Sequence, residues 1–292
     1  GRVLHTLSRR PDVAANTVVI FTADHGEYGA SHGLRGKGAS AYEEATRIPL
    51  IVKDLRGILT DETETPRTQL TSSVDVTPLL LTIATGSEDW RRDPHYAHIA
   101  SRLPLAPILG DSGAPGREYV VHATDEVVTE FAVAPFAADA PLHVVAVRTP
   151  RGKYASYTHW HDDRITPSSV GEENELYDYS THRGRLEIDN VAGESPLEPR
   201  MRKLLADAIA YELRAPLPVH LRHAHARGFA DYFSTARANA KSAAARRRIA
   251  DERDIGSIEA QMPPRARGSV QHVTPSGGVV APAGGGAGGG RR

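Results

Sequence analysis

The chain has 292 residues and no cysteine, which excludes disulfides and leaves two settings open. It suits a reducing compartment or a disulfide-free secreted enzyme, with the cytoplasm the slightly favoured expectation. An excess of either charge is also lacking. Thirty-five Lys/Arg stand against 36 Asp/Glu, a net of −1, so no nucleic acid or anionic membrane surface is expected as a partner. There is no run of eighteen apolar residues, so no membrane-spanning helix is expected. The sequence opens Gly1-Arg-Val-Leu-His5 without a secretory hydrophobic region. What it does have is 40% hydrophobic residues, enough to bury a substantial core in one or two domains.

The end of the chain is different in composition. From Thr235 on there are ten Lys/Arg against four Asp/Glu, a net of +6, and the sequence closes PSGGVVAPAGGGAGGGRR. Such a segment cannot bury enough apolar surface to order itself, so residues 235–292 are expected to form a disordered basic, Gly-rich tail. A solvated Ala-rich helix over 236–255 is the alternative there.

Chemistry concentrates in Phe21–Gly38, FTADHGEYGASHGLRGKG. The preceding Asn16–Thr22, NTVVIFT, is a β-branched and aromatic run without polar alternation. It predicts a strand buried on both faces, as in parallel sheets. Ile48–Val52, IPLIV, predicts a second core strand with Pro49 at its entry. Asp24 and His25 then lie just beyond a strand's C-terminal end, where α/β sheets bind ligands. The glycines between allow tight bends and close approach. Asp24 offers a hard oxygen and His25 an imidazole nitrogen, a pair suited to a metal. Taken alone, the two residues more often serve as a turn cap and a packed ring, and Lys37 suits a solvated surface position. A phosphate-binding P-loop is excluded, because the pattern G-x-x-x-x-G-K-[ST] needs glycine at 31 and a hydroxyl at 38, where Ser31 and Gly38 stand.

Asn16–Val52 as a whole, NTVVIFTADHGEYGASHGLRGKGASAYEEATRIPLIV, resembles the second signature block of the sulfatases of the alkaline-phosphatase superfamily. That block reads as an apolar strand, T-[SA]-D-H-G, H-G-x-x-x-K and E-x-x-x-R-[IV]-P-L-[IV]. The resemblance implies that Asp24 and His25 are metal ligands, for calcium, and that Lys37 contacts the sulfate. His32 belongs to the H-G element and would orient the site from behind or serve the fold alone. Glu43, Glu44 and Arg47 would be structural, Arg47 pairing with a carboxylate.

Weaker resemblances extend to about residue 215. Ser73–Ala84 is similar to the family's D-[ILV]-x-P-T-[LI]-L helix, with Pro78 in the first turn. Val144–Thr158 is similar to its V-R-[TD]-x-x-x-K-Y hairpin and Glu175–Ser180 to its E-L-Y-D-L turn. A degenerate N-L-A segment follows at Asn190–Ala192. The implied fold is α/β: the C-terminal part of an alkaline-phosphatase-like doubly wound sheet over 1–110, then a smaller antiparallel α+β subdomain over 111–234. Strands of that subdomain are expected at Glu118–Ala123, Glu130–Ala134, His143–Arg148 and Lys153–Thr158, with a helix over Glu198–Leu213.

The implied activity is hydrolysis of sulfate esters, of a small molecule or a saccharide. A formylglycine nucleophile would arise from C-x-P-x-R in an upstream part of the family's catalytic domain. This chain has neither that motif nor S-x-[PA]-x-R; Ser112–Arg117, SGAPGR, has one residue too many. The chain alone is therefore expected to be inactive. The alternatives are a phosphodiester or phosphonate monoester hydrolase of the same superfamily, or a non-catalytic orphan fragment. Other candidates carry less. His159–Asp163 holds metal-type residues at the place of a hairpin loop. His220, His223 and His225 do not fall on one helix face, and Tyr154 and Tyr157 read as packing. Oligomeric state is not legible.

Overall fold

The computed structural model describes residues 1–38, 40–59, 65–125, 143–160, 167–213 and 219–228, together with residues 230, 231, 234 and 248. The strand expected at Glu130–Ala134, the cluster His161–Asp163, the helix over 236–255 and nearly all of the tail lie outside them. Among the described residues no helix is long and apolar enough to cross a membrane.

Helices α1 (Arg2–Ser8) and α2 (Pro11–Ala14) lead into β1 (Val18–Thr22). A long loop containing α3 (Glu43–Thr46) then returns to β2 (Leu50–Asp54). The two strands pair antiparallel, with Ile20 opposite Val52, Phe21 opposite Ile51 and Thr22 opposite Leu50. This corrects the expectation of parallel strands buried on both faces. Apolar content marks a strand but carries no direction, and the outer face here is open, with Phe21 60% and Ile51 59% exposed. The inner face does form core. Ile20, Leu50 and Val52 pack on a cluster of Leu79, Leu105 and Ile108, contributed by α4 (Val76–Thr85) and α5 (Leu105–Gly110).

Helix α4 starts where its sequence says it should. Pro78 sits in the first turn, where no N–H is required, and Ser72 with Asp75 forms a capping box in front of it. Asp75 is fully buried and also takes two hydrogen bonds from the Arg117 guanidinium, at 2.8 and 2.5 Å. That bidentate pair ties the helix start to the chain entering the second sheet.

The second sheet is an antiparallel meander of β3 (Val120–Asp125), β4 (His143–Thr149), β5 (Gly152–Trp160) and β6 (Pro167–Asp178) in that order. The β4–β5 hairpin forms as expected, with Val147 opposite Tyr154. Glu175–Asp178, by contrast, is the end of strand β6 and not a turn. The polar run Gly171–Asn174 before it, in a stretch exposed from Ser169 to Glu173, hides the strand in the sequence. After α6 (His182–Arg185), helix α7 (Glu198–Ala208) continues as a π-helical turn over Ile209–Leu213, filling the expected helix.

Strand alternation gives the sheet two buried faces. Val145, Val147, Tyr154 and Leu176 point to α7 and pack on Met201 and Leu205. Val144, Ala146, Ala155 and Tyr157 point the other way and pack on Ala41, just ahead of α3. The loop between β1 and β2 is therefore seated directly on the second sheet.

Candidate metal and anion site

Asp24 and His25 follow the last residue of β1. The Asp24 side chain is 87% exposed, and its Oδ1 accepts the His25 backbone N–H at 3.0 Å. That amide chiefly, with the Lys37 charge adding to it, holds the carboxyl below the ordinary aspartate range. The His25 ring places Nδ1 2.8 Å from the Gly26 carbonyl oxygen. A carbonyl only accepts, so Nδ1 carries a proton, and in the neutral ring Nε2 presents its lone pair. Nε2 then lies 3.6 Å from Asp24 Oδ2, so two lone-pair donors stand side by side at a spacing one cation can bridge. The chemistry of the pair fits a divalent ion, with the Gly26 carbonyl as the outer partner that fixes the ring. The pair is still only part of a site: calcium takes six to eight ligands, and among the described residues no third acid or histidine joins them.

Lys37 is exposed at the far end of the same loop, and its charge is felt at Asp24. Between the two, backbone φ is positive at Gly29, Ala30, His32, Gly33 and Gly36. At Ala30 and His32 this is a conformation that residues with a Cβ adopt reluctantly. The Glu27 carboxylate steadies the loop by accepting the Gly36 N–H at 2.7 Å and the Gly29 N–H at 3.3 Å. The buried Tyr28 bonds Ser40 through its hydroxyl at 2.5 Å.

The structure gives His32 a well-defined environment. Its ring stacks on Tyr42 with centroids 3.9 Å apart and planes within 8°, and Nε2 is 3.5 Å from Glu44 Oε2. Glu43 turns to the second sheet, 3.1 Å from Lys153 Nζ and 3.6 Å from Arg148 Nε. Arg47 is exposed, adding to the field at Glu43. Tyr154 and Tyr157 are buried packing residues, as expected, and His220, His223 and His225 lie exposed on a helical stretch.

The residues that sequence reasoning passed over are Tyr42, Lys153, Glu175 and Glu187. Lys153 carried a signal, being a lysine inside an otherwise apolar and aromatic strand. Its ammonium is buried between Glu187 Oε1 at 2.5 Å, the Ala41 carbonyl at 2.6 Å and Glu43. The partners of Tyr42 carried none, since Glu175 is 133 residues away.

Residues 1–87 match the family model for sulfatases. The uncharacterized sulfatase YidJ of Escherichia coli is 39% identical over 84 residues, which are 29% of this chain and 16% of that protein. The delta 4,5-hexuronate-2-O-sulfatase of Bacteroides thetaiotaomicron is 29% identical over 209 residues, 70% of this chain and 35% of that one. Among solved structures, BT4656 in complex with its substrate D-glucosamine-2-N,6-O-disulfate superposes with a TM-score of 0.54 at 23% identity. That superposition covers 72% of this chain and 37% of BT4656, and at such identity it bears on the fold alone. The chain thus spans 16% and 35% of the two relatives' lengths. Residues 1–87 are thus similar to the sulfatases, and the chain shares an α/β fold with BT4656 over the superposed part.

Proposed function

We propose that this chain supplies the metal-binding and sulfate-binding side of an active site that hydrolyses sulfate esters, of a small molecule or a saccharide. The observation that carries this reading is the Asp24–His25 pair of donors at the end of β1, with Lys37 on the same loop, inside the segment matched to sulfatases. Asp24 Oδ2 and His25 Nε2 hold the ion, and the Gly26 carbonyl keeps the His25 proton on Nδ1. Calcium, when bound, places positive charge beside the sulfuryl oxygens. Lys37 brings its ammonium to the same oxygens, where fixed charge lowers the barrier as negative charge develops. His32 orients the loop between them. The attacking group is not one of these residues: the sequence has no cysteine to become formylglycine, and such a nucleophile would come from elsewhere in a complete enzyme.

The test reads the gene's frame ahead of Gly1 for C-x-P-x-R and assays the polypeptide it encodes on an aryl sulfate and an aryl phosphodiester. Sulfate turnover that falls on the order of 10²-fold or more in Asp24→Asn and in Lys37→Ala supports the reading. A preference for the phosphodiester would move the reaction to phosphoryl transfer, and turnover indifferent to Asp24→Asn would remove the site. Assayed alone, residues 1–292 are expected to turn over no aryl sulfate, since positioning and charge have no covalent step to assist.

Calcium binding provides a separate check that needs no turnover. One carboxylate and one imidazole are a poor set for a hard cation, and the Lys37 charge opposes it when no anion is bound. Calorimetry on this chain should show negligible calcium affinity. The polypeptide carrying the remaining ligands should bind tightly and lose that binding in Asp24→Ala. Tight binding by this chain, unchanged in Asp24→Ala, would place the metal elsewhere.

A further inference from the structure

The loop from Gly29 to Gly38 is largely exposed and has two residues with a Cβ at positive φ, Ala30 (77°) and His32 (53°). Such a loop holds one shape only if side chains outside it fix it. Its His32 ring stacks face to face on Tyr42, and Tyr42 is itself fixed from the second sheet. Its hydroxyl donates to Glu175 Oε1 at 3.2 Å, and the other oxygen of that carboxylate accepts the Tyr157 hydroxyl at 2.5 Å. Tyr157 is also bonded by the Ala41 backbone N–H at 3.3 Å. The ring against His32 is thus anchored to β5 and β6.

We propose that Tyr42 is a positioning residue: through the His32 ring, and held by Glu175, it lets the second sheet set the shape of the loop that presents Lys37. The importance of that loop rests on the proposed function, but the contact can be tested without it. If the sulfatase reading failed, the coupling would still be measurable. If the coupling failed, the assignments of Asp24 and Lys37 would stand.

The experiment is NMR on the full chain, reading the His32 ring protons and the hydrogen exchange of loop amides. In the parent protein the His32 ring signals should lie upfield, shielded by Tyr42. Tyr42→Leu should erase that shift and speed exchange of the Ala30, Gly33, Leu34 and Gly36 amides by about tenfold or more, while amides of Val145, Val147 and Tyr154 keep their protection. Tyr42→Phe, which keeps the ring and loses the bond to Glu175, should retain the shift and show a smaller rise. A purely local packing role would leave the four loop amides unchanged in Tyr42→Leu, and that result overturns the proposal. Should Tyr42→Leu also expose the sheet amides, His32→Ala decides, because it leaves the Tyr42–Glu175–Tyr157 bonds in place. The same loop amides must then exchange faster, and unchanged exchange refutes the coupling.

Discussion

Lys153→Met should lower the stability of the fold by about 3–5 kcal/mol, the range for removing one partner of a buried ion pair. The methionine keeps the stem's volume and deletes the charge. What remains is Glu187, whose side chain is 1% exposed, facing Glu43, whose side chain is 22% exposed, with no ammonium between them. Arg148 at 3.6 Å from Glu43 compensates only in part. Glu187 keeps its other bonds, from the Tyr179 hydroxyl at 2.6 Å and the Glu43 backbone N–H at 2.8 Å, but these do not neutralise it. Glu187 also has φ of 54°, a conformation that its fixed carboxylate helps to hold. Urea unfolding followed by circular dichroism reads the loss. Adding Glu187→Gln to Lys153→Met should recover part of it, because the second change removes the orphaned charge. An unchanged midpoint in Lys153→Met would mean that the cluster is not closed in solution.

The same cluster predicts a response to acid. Burial alone would raise the Glu43 carboxyl, but Lys153 and Arg148 outweigh it and hold the group below its ordinary value. A depressed carboxyl contributes stability above its unfolded value, about 4.3 for glutamate, and loses it as pH falls through the folded value. The parent protein should therefore lose this contribution below about pH 4.3. Lys153→Met, which has less of it to lose, should show a shallower decline there.

How much of this was legible in the sequence depends on the distance over which each feature is made. Helix α4 was readable because Pro78 is a local start signal and the pattern over Ser73–Ala84 is local too. The β4–β5 hairpin was readable because Val144–Thr158 resembles a hairpin pattern that is local in sequence. The placement of Asp24 and His25 after a strand was equally local. The antiparallel pairing of β1 with β2 was not, since direction is decided by the path of the 27 residues between them. Strand β6 was misread at Glu175–Asp178 because the polar, exposed run ahead of it, Gly171–Glu173, looks like turn sequence. The least legible part is the seat of the loop on the second sheet. Glu43, Lys153 and Glu187 are ordinary surface types, and only the fold brings residues 144 positions apart into one buried group. The family pattern pointed to the candidate site, while the residues packed around its loop are visible only in three dimensions.

The glycine of D-H-G illustrates the difference and carries the second large effect. Read from sequence, Gly26 is one of several glycines in a flexible loop. In the structure its φ is not positive, so conformational freedom is not what it supplies. What it supplies is space: a Cβ there would lie 1.9 Å from the Glu44 carbonyl oxygen and 2.9 Å from its carbon. Those atoms are backbone at the start of α3 and cannot swing aside. The Gly26 N–H donates to the Ala45 carbonyl at 2.9 Å, and the Gly26 carbonyl is the partner of His25 Nδ1. Gly26→Ala must therefore part the two segments by more than an ångström, and His25 and Asp24 move with them. The expected cost is about 3 kcal/mol of stability, at the upper end for overpacking. The loss of turnover in the complete enzyme should be on the order of 10²-fold, as for an ångström-scale misplacement. Gly36→Ala is the control: nothing lies within 4 Å of a Cβ there, and the objection is only its φ of 74°. It should cost about 1–2 kcal/mol. Urea midpoints of the two variants, with turnover of the polypeptide that carries the nucleophile, separate the two kinds of glycine. Equal effects from both would mean that the close approach of Gly26 to α3 does not set the geometry of the Asp24–His25 pair.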